Sequence, residues 1–272
     1  MTNPPVPLFG DYTPFATLLK AGRRRRRLSQ LELAVDAAVS QRHLSFLESG
    51  RAKPSRAMIL QLCEALEIPL RERNDWLVAA GFAPMFHARA LEDPRMEHVL
   101  GAVDLMLGKH APFPALALDR AWDIVRMNTP FARFIGLLGE DPWTPIGGCN
   151  LLRLMFHPRG LRPLVTNWPA CGPLLWQRAL REAHTPGGAA MLPVLDALRP
   201  HVDAAQAAID PHAPLLPILT VDLALNGLHA SLFTVIATFG TPQDVTADEL
   251  RIEFLFPADA ATERLLNQLS GA

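Results

Sequence analysis

Gln41, Arg42 and Ser45 fall on one side of the short stretch QRHLSFLE, and Leu44 and Leu47 fall on the other. A glutamine amide can make paired hydrogen bonds to adenine, an arginine guanidinium to guanine, and a serine hydroxyl can bond several base edges. Around this stretch stand Arg23, Arg24, Arg25, Arg26, Arg27, Arg51, Lys53 and Arg56. So many cations close together would neutralise phosphates and make binding fall steeply with salt. The chemistry these residue types offer is readout of double-stranded DNA, with base edges met by the first group and the backbone by the second.

A net charge of -1 gives no hint of such a partner, but the charge is unevenly spread. Residues 1–90 carry 13 Lys and Arg against 8 Asp and Glu, and residues 91–272 carry 13 against 19. Only the first third is suited to a polyanion. At 272 residues the chain can build two cores. No apolar run is long enough to cross a bilayer, and the N-terminus has no basic segment leading into an apolar one, so a cytoplasmic protein is expected. Cys63, Cys149 and Cys171 are far apart and odd in number, which points to free thiols.

The elements that must position the polar face are short helices. Phe15, Leu18 and Leu19 open a helix that runs to Arg26, with arginines in its last turn, where positive charge suits the helix dipole. Ser29 and Glu32 form a capping box for a second helix, with Leu31, Leu33, Ala34 and Ala38 as its buried side. Ala37 to Ser40 is the turn. Ser40 caps a third helix, Gln41–Glu48, which Gly50 stops. A fourth helix opens at Pro54-Ser55 and ends at Pro69, and a fifth spans about Leu70–Ala80 with Trp76, Leu77 and Ala80 inward. His43 is expected at the surface. Phe46 is expected to reach a thymine methyl or to pack against the second helix.

The order L-S-Q, V-S-Q-R-H-L-S-F-L-E-S-G, K-P-S and A-M-I-L-Q-L-C-E-A-L-E-I resembles the XRE/Cro-type helix-turn-helix over about residues 14–68. The resemblance implies a five-helix domain, placed here at 10–83, whose third helix enters the major groove. It implies a backbone contact for Gln30 at the start of the second helix and base contacts for Gln41, Arg42 and Ser45. Ser40 is counted with the DNA-facing residues. Two such modules in a homodimer would read two half-sites of an operator.

The rest, 94–272, reads as a second domain. Pro94 opens a helix to about Lys109. Phe113–Leu118 and Trp122–Met127 read as a hairpin through Asp119-Arg120. Helices follow over Asn128–Leu138, Asn150–Phe156, Leu174–Ala183 and Ala189–Leu198. Strands then occupy Leu215–Leu223, Leu228–Phe239 and Glu249–Pro257, with Asn226-Gly227 as a turn, and a helix over Asp259–Leu269 closes the chain. This order predicts a PAS-like α+β domain with an antiparallel sheet and helices over one face. The blocks F-P-A-L-A-L-D-x-A-W-D-I-V-R-M-N, N-L-L-R-L-M-F-H-P-x-G-L-R-P-L-V-x-N-W and L-x-x-S-L-F-T-V-I-A-T-F-G-T-P-Q-D-V-T resemble the MmyB-like ligand-binding domain. That resemblance implies a cavity for a small apolar effector, a fatty acid or similar lipid. Candidate lining residues are Trp122, Ile124, Phe131, Phe134, Leu154, Phe156, Trp168, Leu175, Val221, Phe233 and Val235. Asn128 and Arg178, with Asn167 and His157, are candidate contacts for a polar headgroup.

No G-x-S-x-G, Walker A, G-x-G-x-x-G, C-x-x-C or H-x-x-x-H pattern is present, so neither an enzyme nor a metal site is expected, and no cofactor beyond the effector. Two readings remain open: a ligand-responsive transcription regulator, or a DNA-binding protein whose second domain docks a protein partner. A haem or flavin PAS domain is disfavoured, because no axial ligand stands out.

Overall fold

In the computed structural model, which describes residues 14–185, 187–202 and 218–271, five helices follow one another: α1 (Phe15–Arg25), α2 (Gln30–Asp36), α3 (Gln41–Glu48), α4 (Arg56–Ala65) and α5 (Leu70–Ala79). Their caps are those the sequence announces. Ser29 Oγ accepts from Glu32 N at 3.1 Å, and the Glu32 carboxylate accepts from Ser29 N at 2.6 Å. Ser40 and Ser55 cap α3 and α4 through the backbone N–H groups of His43 and Met58. Gly50, at φ 71°, lies just beyond α3 in the left-handed region that favours glycine. Leu19, Leu33, Leu44, Ile59, Leu62, Trp76 and Leu77 form the core, with Phe15 edge-on to Trp76 at 5.8 Å between ring centres.

Three expectations in this part need correction. Leu31 and Ala38 are exposed, because the inward side of α2 is Leu33 and Ala34 followed by Ala37. The fourth helix ends before Pro69: the chain leaves it at Leu66, and Glu67 takes φ 49°. Ala80, expected inward, is half-buried at the cap of α5.

The chain divides into two compact units, one running to Ala88 and including Gln243–Val245, the other running from Arg89 to Pro242 and from Thr246 on. The second begins with a 3₁₀ turn, Pro94–Met96, leading into α6 (Glu97–Lys109). Then come β1 (Ala115–Leu118), β2 (Ile124–Met127), α7 (Thr129–Gly136), α8 (Leu151–Phe156), α9 (Trp168–Ala183) and α10 (Leu192–Leu198). After them are β3 (Thr220–Leu225), β4 (Leu228–Ala237), α11 (Val245–Glu249), β5 (Arg251–Pro257) and α12 (Ala260–Ser270). The five strands form one antiparallel sheet in the order β2-β1-β5-β4-β3, which places the last strand in the middle. Asn226 and Gly227 take φ 51° and 80°, the two-residue hairpin turn joining β3 to β4. Residues 10–13, His212, the start of the expected strand at 215–217 and residue 272 lie outside the described residues.

The sheet is covered on both faces, not one. Leu116, Leu118, Leu223, Ala230 and Leu232 face α7, α8, α9 and α12 and make the larger core. Ala115, Ala117 and Ile252 face the other way, onto Val103 and Leu107 of α6. Successive strand residues alternate between these faces. The helix expected from Leu174 starts at Trp168 and runs through the buried Pro173, which the inward set Trp168, Cys171 and Trp176 brackets.

Candidate functional site

The basic run divides by role. Arg23 is 12% exposed and lies against Glu48, donating through Nε at 2.6 Å and through Nη2 at 2.9 Å, with a further bond to the Leu28 carbonyl. Glu48 also accepts from Gln30 Nε2 at 2.8 Å. One carboxylate at the end of α3 therefore ties down the end of α1 and the start of α2. Burial alone would raise the Glu48 pKa, but the bonds from Arg23 and Gln30 outweigh it and hold the carboxyl below its ordinary value. Arg25 pairs with Glu72 at 2.8 Å, and Arg26 bonds the Leu66 carbonyl and Glu67. Arg23, Arg25 and Arg26 are thus engaged within the helical unit, Arg23 nearly buried and the guanidiniums of Arg25 and Arg26 still open to solvent. Arg24 and Arg27 are exposed and have no carboxylate partner among the described residues.

On α3, Gln41 and Arg42 are exposed and Ser45 is half-buried. Ser40 is exposed, and its hydroxyl accepts the capping bond. Phe46 is half-buried, and the guanidiniums of Arg42 and Arg51 lie 5.5 and 5.6 Å from its ring centre. It holds two candidate DNA contacts by cation–π attraction, a role that sequence reasoning missed. The 42/46 spacing, one helical turn, was the available signal. Lys53 and Arg56 are exposed, and Arg56 lies over Phe82 at 5.7 Å. This face presents hydrogen-bonding side chains flanked by cations that have no carboxylate partner among the described residues, which is what reading a DNA groove requires.

In the second unit a cavity of about 460 Å³ lies between the sheet and α7, α8 and α9. It gathers Trp122, Phe131, Phe134, Leu154, Phe156, Leu175, Arg178 and Val221 from the expected set. Seven expected residues are not in it. Phe233 and Val235 point to the opposite sheet face, where Phe233 stacks on Phe256 at 5.4 Å and Val235 is exposed. Their neighbours Leu232, Thr234 and Ile236 line the cavity instead. Trp168 packs edge-on to Phe156 with Arg162 over its ring, and Ile124 packs against the same core. Asn128 caps α7 and is satisfied by Ala115 N, Phe131 N and the carbonyls of Leu107 and Phe113. Of the other headgroup candidates, Asn167 bonds the backbone of Thr220 and Asp222, and His157 sits against His201 with ring centres 5.0 Å apart.

One end of the cavity is charged, and the sequence reading found only Arg178 there. Arg178 Nε donates to Glu182 at 2.9 Å, and Arg251 Nη1 donates to the same carboxylate at 2.6 Å. Both guanidiniums lie over the Trp122 ring, at 4.8 and 4.1 Å, and Trp122 Nε1 donates to Glu182 at 2.8 Å. Burial lowers the Arg251 pKa despite these partners. At Glu182 burial acts to raise the pKa, but the two arginines win and hold it low. The missed signal was parity: Arg251 and Glu253 share a face of a central, otherwise apolar strand, where charges must be paired. Among the described residues no group of three or more His, Cys, Asp and Glu is placed to hold a metal ion. None of their helices is long and apolar enough to cross a membrane.

A DNA-reading helical unit joined to an α+β unit with an apolar cavity defines a transcription regulator with a ligand-binding domain. Residues 14–76 match the family described as a helix-turn-helix domain, and residues 99–269 match the MmyB-like transcription regulator ligand binding domain. The second match spans more than half of the chain, and the protein belongs to the MmyB-like transcription regulators. No curated protein matches it.

Proposed function

We propose that the protein is a homodimeric regulator that reads paired half-sites through α3 and is switched by a chain-like apolar effector, a fatty acid or similar lipid, held in the second unit. The observation that carries this reading is the cavity of about 460 Å³, apolar along most of its wall and charged at one end. Its size is in the range of small-molecule sites, about 300–1,000 Å³. Two half-sites are invoked because the side chains of one α3 that can reach base edges, Gln41, Arg42 and Ser45, are few. The effector acts by binding one arrangement of the dimer better than another.

Native mass spectrometry of the purified protein, followed by denaturing extraction, tests the reading. The expected result is a dimer that releases a lipid-sized mass. A monomer would remove the paired half-site argument. An empty protein that no added fatty acid can fill would remove the effector.

A further inference from the structure

The charged end of the cavity leaves guanidinium donors without acceptors among the described residues. Arg178 and Arg181 of α9 line it with Glu253 of β5. Glu182 and Arg251 join the cluster, and the Asp119 carboxylate is near enough to feel Arg251. Arg181 is exposed and has no acceptor among the described residues. Arg251 is 13% exposed, and its Nε and Nη2 are buried without a hydrogen-bond acceptor among the described residues. Its Nε lies 3.7 Å from Glu253 Oε1, the oxygen that accepts from Arg178 Nη2 at 3.3 Å. Two guanidiniums compete for one oxygen, and both contacts are longer than a strong charge-assisted bond.

Resting on the apolar-pocket reading, we propose that the effector is an amphiphile with one anionic group, that Arg181 and Arg178 receive that group, and that Arg178 then gives up Glu253 to Arg251. An anion leaving water for this cavity needs cations already in place, and a guanidinium can meet a carboxylate with two parallel bonds. Once Arg178 turns to the ligand, Glu253 can close on Arg251 and supply the acceptor that its buried donors lack. A neutral amphiphile fills the same apolar wall but cannot drive this exchange.

Titration calorimetry of the full chain with dodecanoate and with dodecan-1-ol, each below its aggregation concentration, tests the proposal in the wild type, Arg181→Gln and Glu253→Gln. The wild type should bind the acid roughly ten- to a hundredfold more tightly than the alcohol, the effect of a charged hydrogen bond. Arg181→Gln should shrink that ratio by weakening the acid alone. Glu253→Gln removes the competitor for Arg178 and should tighten the acid while leaving the alcohol unchanged. Alcohol affinity reports in each variant that the apolar pocket is intact. Equal wild-type affinities, or an Arg181→Gln ratio that does not move, overturn the anionic-group proposal and leave the apolar pocket standing. A Glu253→Gln protein that does not tighten the acid overturns the exchange. Failure of both amphiphiles to bind the wild type overturns this proposal and the pocket reading together.

Discussion

A single carboxylate, Glu48, decides how the arginine run should be understood. It takes two bonds from Arg23 and one from Gln30, and its side chain is only 4% exposed. Removing one member of a buried ion pair leaves an uncompensated charge, so Arg23→Ala should cost about 3–5 kcal/mol of unfolding free energy. Denaturant unfolding followed by helical circular dichroism would measure it. An Arg23→Ala protein of wild-type stability with weakened DNA binding would return this residue to the phosphate contacts. Because the folded Glu48 pKa lies below its ordinary value, its ionised form stabilises the fold above about pH 4.5. That stabilisation is lost as the pH falls through the lowered folded value. Glu48→Gln should therefore be less stable at neutral pH and lose less on acidification than the wild type. Arg24 and Arg27 belong to the other class. Replacing either with Ala should weaken binding to all duplexes alike and reduce the salt slope by about one. Arg42→Ala should instead relax sequence preference, at about 1–3 kcal/mol for the correct duplex. Fluorescence anisotropy with a selected duplex and a scrambled one, over a range of salt, separates the two behaviours.

At the scale of elements, the helical unit was legible because its signals are local. Ser29, Ser40 and Ser55 announce helix starts through bonds that span three residues, and Gly50 announces a stop. The hairpin turn at Asn226-Gly227 is local in the same sense. What the sequence does not announce is set by packing at a distance. Both faces of the sheet are apolar in places, so the alternation along β4 could not say that Leu232, Thr234 and Ile236, and not Phe233 and Val235, meet the cavity. The charged end of the cavity joins α9 to β5, elements far apart in the chain, and so Arg251 and Glu253 escaped notice. Gly22 is another distant constraint. A Cβ on it would lie 2.8 Å from Trp76 Cζ2, so α1 can approach α5 only with a glycine there. Gly22→Ala should improve helix propensity yet destabilise the unit by about 1–3 kcal/mol through overpacking. A rise in melting temperature would mean that Trp76 yields and that this contact is not tight.

At the scale of the whole molecule, the uneven charge keeps the two tasks apart. Lys and Arg outnumber Asp and Glu in residues 1–90, while the acidic excess of residues 91–272 makes the rest of the chain a poor partner for a polyanion. If the second unit controls the first, the control is a coupling free energy, and it must act equally in both directions. The factor by which dodecanoate changes the affinity for operator DNA must equal the factor by which operator DNA changes the affinity for dodecanoate. Couplings of this kind are typically about 1–3 kcal/mol, or about 5–150-fold. Acid affinity should also rise by about 0.8 kcal/mol for each methylene added to the chain, until the cavity is full. The coupling factor should follow a different course. It depends only on how differently two arrangements of the protein hold the ligand. The exchange of Glu253 from Arg178 to Arg251 is made by the anionic group whatever the chain length. Dodecanoate and decanoate should therefore differ in affinity and agree in coupling, while dodecan-1-ol should bind and couple little. Anisotropy titrations of operator DNA at saturating concentrations of each amphiphile would measure these factors. A dodecanol coupling as large as that of the acid would place the switch in the apolar wall, and a coupling of one for every amphiphile would separate the cavity from DNA binding altogether.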